Sequence, residues 1–73
     1  MNNNTQFVIC IGNDDYPASL ELKKVYVTIE DTNAEKLAML RVIDESGEDY
    51  LYPASLFEPI LVSDKAASLF AVA

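Results

Sequence analysis

Short apolar runs separated by polar or proline-containing turns make up most of the chain. The runs Phe7–Ile11 and Val25–Ile29 are rich in β-branched residues, and residues 58–62 can form a last strand that ends in three apolar residues. Residues 40–53 contain two further short runs on either side of a glycine. Runs of this length are typical of strands, and five of them separated by frequent turns predict a small all-β barrel.

The clearest local prediction is a β-hairpin over residues 40–53. Glu45-Ser46-Gly47 suits a three-residue loop in which Gly47 adopts the left-handed conformation. A two-residue turn at Ser46-Gly47 is the alternative, and it pairs Ile43 with Tyr50. The three-residue loop instead pairs Leu40 with Tyr52, Arg41 with Leu51 and Val42 with Tyr50, and it brings Arg41 within reach of Asp49.

Short helical turns are predicted between and after the strands. Asp31 or Thr32 can cap one or two turns that pack through Leu37. The residues after Pro53 favour a single helical turn, and Ser63 can cap a short helix near the C-terminus. The predicted organisation is a disordered tail over 1–6, a barrel domain over 7–62, and a C-terminal tail or short helix over 63–73.

Composition and charge narrow the functional classes. The 73 residues suffice for one domain, and 12 acids against 5 bases give a net charge of −7. This charge repels phosphate backbones and anionic lipids, so neither nucleic acid nor a membrane is an expected partner. The N-terminus lacks a signal pattern and no apolar run reaches membrane-spanning length, so we expect a cytoplasmic protein.

Cys10 is the only cysteine, so the chain can form neither an intramolecular disulfide nor a zinc site built from several thiolates. Because it lies within an apolar run, we interpret it as a small buried hydrophobic residue. A reactive thiol is the alternative interpretation. No cofactor motif is present in the sequence, and no cofactor is expected.

Residues 47–60 resemble the end of a Src-homology-3 (SH3) domain, with a hairpin turn, a strand, a proline and then a last strand. Residues 19–27 are similar to the turn that leads into the second strand of that family. The resemblance implies a five-stranded SH3-like barrel. SH3 domains bind polyproline helices in an aromatic-lined groove, but this chain has no Trp, and Ser55 and Leu56 stand where the family has asparagine and tyrosine.

A second resemblance is more specific, because it spans a long unbroken stretch. The run Asp44–Pro53 is similar to a hairpin in small bacterial and phage proteins of uncharacterised function. It implies no established activity. The predicted fold class is therefore an all-β, five-stranded SH3-like barrel with a short helical turn.

Tyrosines beside carboxylates are the best candidates for a binding surface. Tyr50 and Tyr52 project from the same face of one strand, and the loop that follows the first strand can bring Tyr16 close to them. With Asp14 and Asp15 they form a candidate protein-binding set. The alternative is that Tyr50 or Tyr52 packs inside the barrel with its hydroxyl at the rim.

The acids of the hairpin turn support two weaker hypotheses. One is a divalent-cation site, but the spacing of the acids does not match an EF-hand, so we interpret them instead as a solvated turn. A carboxylate pair can also catalyse hydrolysis, but no feature indicates the enclosed pocket that this needs. These acids are Asp44, Glu45, Glu48 and Asp49.

The sequence therefore predicts a small non-catalytic protein-interaction module. Its expected partner is a protein or peptide segment, and the acidic charge favours a basic one. The alternative is a metal- or ligand-binding regulatory domain that uses the acidic turn. We expect a monomer or a weak homodimer.

Overall fold

The computed structural model describes residues 5–70 as one antiparallel sheet with short helical segments. The strands are β1 (Thr5–Cys10), β2 (Val25–Ile29), β3 (Met39–Ile43), β4 (Asp49–Pro53) and β5 (Phe57–Ile60), in the order β4-β3-β2-β1-β5. The predicted all-β class with five strands is confirmed, because strands make up most of the regular secondary structure within residues 5–70 and all five share one sheet.

In the described part of the chain, four short helical segments connect or follow the strands. They are α1 (Thr32–Lys36), a 3-10 turn at Ala54–Leu56, α2 (Asp64–Ala67) and a 3-10 turn at Ser68–Phe70. Asp31 caps α1 by accepting a hydrogen bond from the Ala34 N–H, and Ser63 caps α2 in the same way from Ala66. Within residues 5–70, no helix has the length and apolar composition needed to cross a membrane.

The predicted terminal segments lie only partly within the described residues. β1 begins at Thr5, so residues 5 and 6 of the predicted tail 1–6 belong to a strand, and residues 1–4 lie outside the described residues. The short C-terminal helix begins after Ser63 as predicted, and residues 71–73 again lie outside the described part.

The core lies on one face of the sheet, and the sheet closes around it. Tyr52 on β4 and Phe57 on β5 belong to opposite ends of the strand order, yet their ring centroids are 6.3 Å apart. The strands alternate between buried and more exposed positions, as half-buried strands do. The buried cluster contains Val8, Cys10, Leu20, Tyr26, Val42, Tyr52 and Phe57. The interpretation of Cys10 as a buried hydrophobic residue is thus confirmed.

The hairpin has the predicted three-residue loop and register. Leu40, Arg41 and Val42 lie opposite Tyr52, Leu51 and Tyr50. Gly47 adopts a left-handed φ of 83°. The predicted ion pair also forms, since the Arg41 guanidinium lies 3.1 Å from Asp49, and a second contact of 2.8 Å joins it to Asp31.

The predicted packing of α1 through Leu37 is wrong. Leu37 is 69% exposed, whereas Ala34 is buried. The helix ends at Lys36, and the positive φ of Ala38 then turns the chain into β3, so Leu37 lies beyond the last helical turn. α1 therefore packs through its small central alanine.

Candidate functional site

A groove of about 510 Å³ lies between the first long loop, the hairpin turn and β4. The loop contributes aromatic and small side chains, and the turn and strand contribute acids, a serine, a leucine and two more tyrosines. The lining residues are Tyr16, Ala18, Ser19, Asp44, Ser46, Glu48, Tyr50, Leu51 and Tyr52. Three of the four tyrosines of the chain therefore converge on one surface feature.

The loop holds Tyr16 in place through its own backbone. The Tyr16 N–H donates to the Asn13 carbonyl at 2.8 Å, and the Tyr16 carbonyl accepts from the N–H groups of Ser19 and Leu20. Asn13 further donates its side-chain amide to the Leu20 carbonyl at 2.9 Å. Because Leu20 is itself buried in the core, the loop is anchored at this point and presents Tyr16 to the groove.

Tyr16 packs edge-on against Tyr52. Their ring centroids are 4.9 Å apart and the ring planes lie at 86°, a favourable arrangement for an aromatic pair. Tyr52 is only 4% exposed, while Tyr50, two residues earlier on the same face, is 53% exposed. The floor of the groove is therefore a rigid aromatic pair, and Tyr50 is the ring that remains accessible.

Asp44 forms the polar end of this floor. The Tyr52 hydroxyl donates to Asp44 Oδ2 at 2.6 Å, and the N–H and hydroxyl of Ser46 donate to Oδ1 at 2.9 and 2.5 Å. Burial alone would raise the pKa of the Asp44 carboxyl, but the hydrogen bonds from Ser46 and Tyr52 hold it below its ordinary value. For Tyr52, burial and then the Asp44 carboxylate raise the pKa.

Glu45 joins the same turn to the other side of the core. Its Oε2 atom accepts from both Lys24 Nζ and the Tyr26 hydroxyl at 2.6 Å. The pKa of Glu45 is lowered by Lys24 and then Tyr26, whereas burial followed by the Glu45 hydrogen bond raises that of Tyr26. The Glu45 N–H also donates to the Ser19 carbonyl at 3.1 Å, which fixes the loop against the hairpin turn.

The candidate residues divide into two groups. The groove brings together Tyr16, Tyr50 and Tyr52, of which Tyr52 is a core residue with its hydroxyl on Asp44. Asp14 and Asp15 are exposed on the loop and do not line the groove. The alternative interpretation, in which Tyr50 or Tyr52 packs in the core, therefore applies to Tyr52.

Asp44 is predicted as one of the turn acids, but the structure places it in the core. It is 7% exposed. Its position was detectable, because Asp44 directly follows β3 and continues the face of Leu40 and Val42 by the period of two. The spacing of Asp44 and Ser46 also matches a side-chain turn in which Asp accepts a backbone N–H two residues on. The contributions of Ala18 and Ser19 depend on the path of the loop and had no local signal.

The hairpin acids do not form a cation cluster. Asp44 accepts bonds from Tyr52 and Ser46, Glu45 pairs with Lys24, and Asp49 pairs with Arg41. Among the described residues, no group of three or more Asp, Glu, Cys or His side chains is arranged to hold a metal ion. This geometry weighs against the alternative of a metal-binding turn.

Comparison of the chain with protein-family models, curated proteins and solved structures finds no match. The functional conclusion is therefore drawn from the groove itself. Its combination of a rigid aromatic floor, one exposed tyrosine and an acidic rim is the feature to be explained.

Proposed function

We propose that this chain is an SH3-like barrel that serves as a small, non-catalytic protein-interaction module. The strand order, the hairpin between β3 and β4, and the single 3-10 turn between β4 and β5 support the SH3-like assignment. The observation that carries the binding proposal is the groove in which Tyr16, Tyr50 and Tyr52 converge. Grooves of this kind bind a peptide through aromatic contacts at little entropic cost, because the rings are already held in position.

The chemistry of the rim favours a basic peptide. Glu48 lines the groove, and its side chain accepts a hydrogen bond from the Tyr50 hydroxyl at 3.3 Å. Within residues 5–70, Lys24 and Arg41 form ion pairs with other acids, and no basic side chain pairs with Glu48. A Lys or Arg side chain of a partner can pair with Glu48 and stack on the exposed Tyr50 ring.

The same geometry supports a non-catalytic role. A general acid needs a carboxyl whose pKa is raised towards neutrality, whereas that of Asp44 is lowered. Its oxygens are occupied by Ser46 and Tyr52, which suits a structural carboxylate. A cytoplasmic location, a bacterial or phage origin and a monomeric or weakly dimeric state stay predictions from the sequence.

The proposal is tested by selecting peptides from a random display library on the purified protein. We expect the selected peptides to be enriched in Lys or Arg and to bind Tyr50→Ala at least about tenfold more weakly, the equivalent of about 1.4 kcal/mol. Leu61→Ala is the matched control, because Leu61 is fully exposed and does not line the groove. Failure to enrich any peptide, or equal binding to Tyr50→Ala and Leu61→Ala, would overturn the proposal.

A further inference from the structure

The two outer strands of the sheet differ in what their backbones offer to a partner. β4 and β5 lie at the two ends of the strand order, so each has a hydrogen-bonded neighbour on one side only within residues 5–70. The outer side of such a strand can pair with another extended chain unless it is blocked. In an antiparallel sheet, alternate residues direct their N–H and C=O groups to the inner and the outer side.

The outer side of β5 is blocked. The bond from the Ile11 N–H to the Leu56 carbonyl continues the β1–β5 ladder and places Phe57 and Pro59 at the outward positions. Pro59 has no N–H group, and the Phe57 N–H donates to the Ala54 carbonyl. No outward donor therefore remains on β5.

The outer side of β4 is open. One backbone hydrogen bond lies at each end of the β3–β4 ladder, from Asp44 N–H to Glu48 C=O and from Ala54 N–H to Ala38 C=O. Because backbone groups in an antiparallel pair alternate between the two sides, those of Tyr50 and Tyr52 bond to β3. The backbone groups of Asp49, Leu51 and Pro53 point to the outer side. Asp49 and Leu51 each offer an N–H donor and a carbonyl acceptor there.

The open side of β4 borders the tyrosine groove, since Tyr50 and Leu51 line it and are 53% and 38% exposed. We propose that an extended, basic peptide segment binds along β4 as a sixth strand, held by the outward backbone groups of Asp49 and Leu51. This inference rests on the proposed function, and it specifies how the partner is held. Strand addition supplies affinity through the backbone, and side-chain pockets then supply specificity.

The position of β4 determines the sequence pattern of the partner. A partner residue opposite Tyr50 has its side chain on the groove face, where Glu48 favours Lys or Arg. Partner residues opposite Asp49 and Leu51 lie on the other face. A second copy of this chain is a poorer occupant than a basic segment, because it carries the same net charge of −7.

The test uses the peptide acetyl-Lys-Val-Lys-Val-Lys-Val-amide and amide hydrogen exchange of the whole protein. In the free protein the Asp49 and Leu51 amides should exchange readily, and saturating peptide should slow them at least about tenfold. The Tyr50 and Tyr52 amides already pair with β3 and should be protected in both states. The same peptide with alternate N-methylated residues retains its charge, and it should not protect Asp49 or Leu51.

A matched pair of variants isolates the backbone donor. Leu51→Pro removes the outward N–H without removing a bond to β3, whereas Leu51→Ala removes only the side chain. We expect Leu51→Pro to bind the peptide at least about fivefold more weakly than Leu51→Ala. If Leu51→Pro does not fold, the hydrogen-exchange measurement on the unmodified protein still tests strand addition.

The outcomes separate this inference from the proposed function. If peptides bind through Tyr50 but leave the Asp49 and Leu51 amides unprotected, strand addition is wrong and the proposed function stands. If those amides become protected with rising protein concentration in the absence of peptide, the occupant is a second copy and the inference is overturned. If no peptide binds at all, both proposals fail.

Discussion

At the scale of single residues, the hydrogen bond between Tyr52 and Asp44 links the core to the groove. Both side chains are buried, and within residues 5–70 no buried side-chain nitrogen or oxygen lacks a partner. Removing one donor therefore leaves a buried carboxylate less well solvated, which costs more than the net value of an ordinary hydrogen bond. The tyrosine floor and the shape of the hairpin turn depend on the same contact.

Tyr52→Phe should lower the free energy of unfolding by about 1–3 kcal/mol at pH 7. The pKa of Asp44 is lowered in the folded protein, so its contribution is present above the unfolded-state pKa of about 3.9 and is lost as the pH falls through the folded value. The difference between wild type and variant should therefore shrink below about pH 4. Asp31 and Glu45 titrate similarly in both proteins and cancel in this difference.

Urea unfolding from pH 7 to pH 2 measures this difference. Tyr50→Phe is the matched control, because its hydroxyl makes a longer, exposed contact of 3.3 Å with Glu48, and it should change stability by less than about 0.5 kcal/mol. Equal effects of the two substitutions would contradict the role assigned to the Tyr52 hydroxyl.

At the scale of elements, the hairpin turn carries its own backbone constraint. Gly47 has a φ of 83°, and a Cβ added there meets no atom within 4 Å. Gly47→Ala should therefore lower stability by about 1–2 kcal/mol through backbone strain alone. Gly47→Asn should cost less, because Asn tolerates the left-handed region. Urea unfolding of both variants tests this order, and an alanine variant as stable as wild type would contradict it.

The hairpin was predictable because its determinants are local. A glycine at the third loop position selects the turn, the turn sets the register, and the register places Arg41 beside Asp49. The packing of α1 was mispredicted because the positive φ of Ala38, which carries Leu37 away from the sheet, has no local sequence signal in an alanine. Local turn chemistry therefore predicted the register of the hairpin strands better than it predicted the packing of α1.

The groove was only partly predictable for a related reason. The face shared by Tyr50 and Tyr52 follows from strand alternation, whereas the contact of Tyr16 with Tyr52 depends on a long loop anchored by Leu20. The difference in exposure between Tyr50 and Tyr52 depends on how the sheet closes over the core. Such facts arise from tertiary packing between residues that are far apart in sequence.

At the scale of the whole molecule, uncompensated negative charge should weaken the folded state. The chain has a net charge of −7 within extents of 33 × 25 × 21 Å, so repulsion spans the molecule when the Debye length is about 30 Å, at 10 mM salt. Salt also weakens ion pairs, but this opposing effect is small. The ion pairs of Lys24 and Arg41 are partly exposed, and such pairs contribute about 0–1 kcal/mol each. Repulsion should therefore decide the sign of the salt dependence.

Raising NaCl from 10 mM to 150 mM shortens the Debye length to about 8 Å and should raise the free energy of unfolding by about 1–2 kcal/mol. Urea unfolding at the two salt concentrations measures the change. The double variant Asp14→Lys, Asp15→Lys changes the net charge from −7 to −3, since each replacement of Asp by Lys raises the net charge by two units. Both side chains are exposed. Its salt dependence should be smaller than that of wild type. Stability that falls with salt would instead show that the ion pairs outweigh the repulsion, and the acidic surface would then need no basic partner to relieve it.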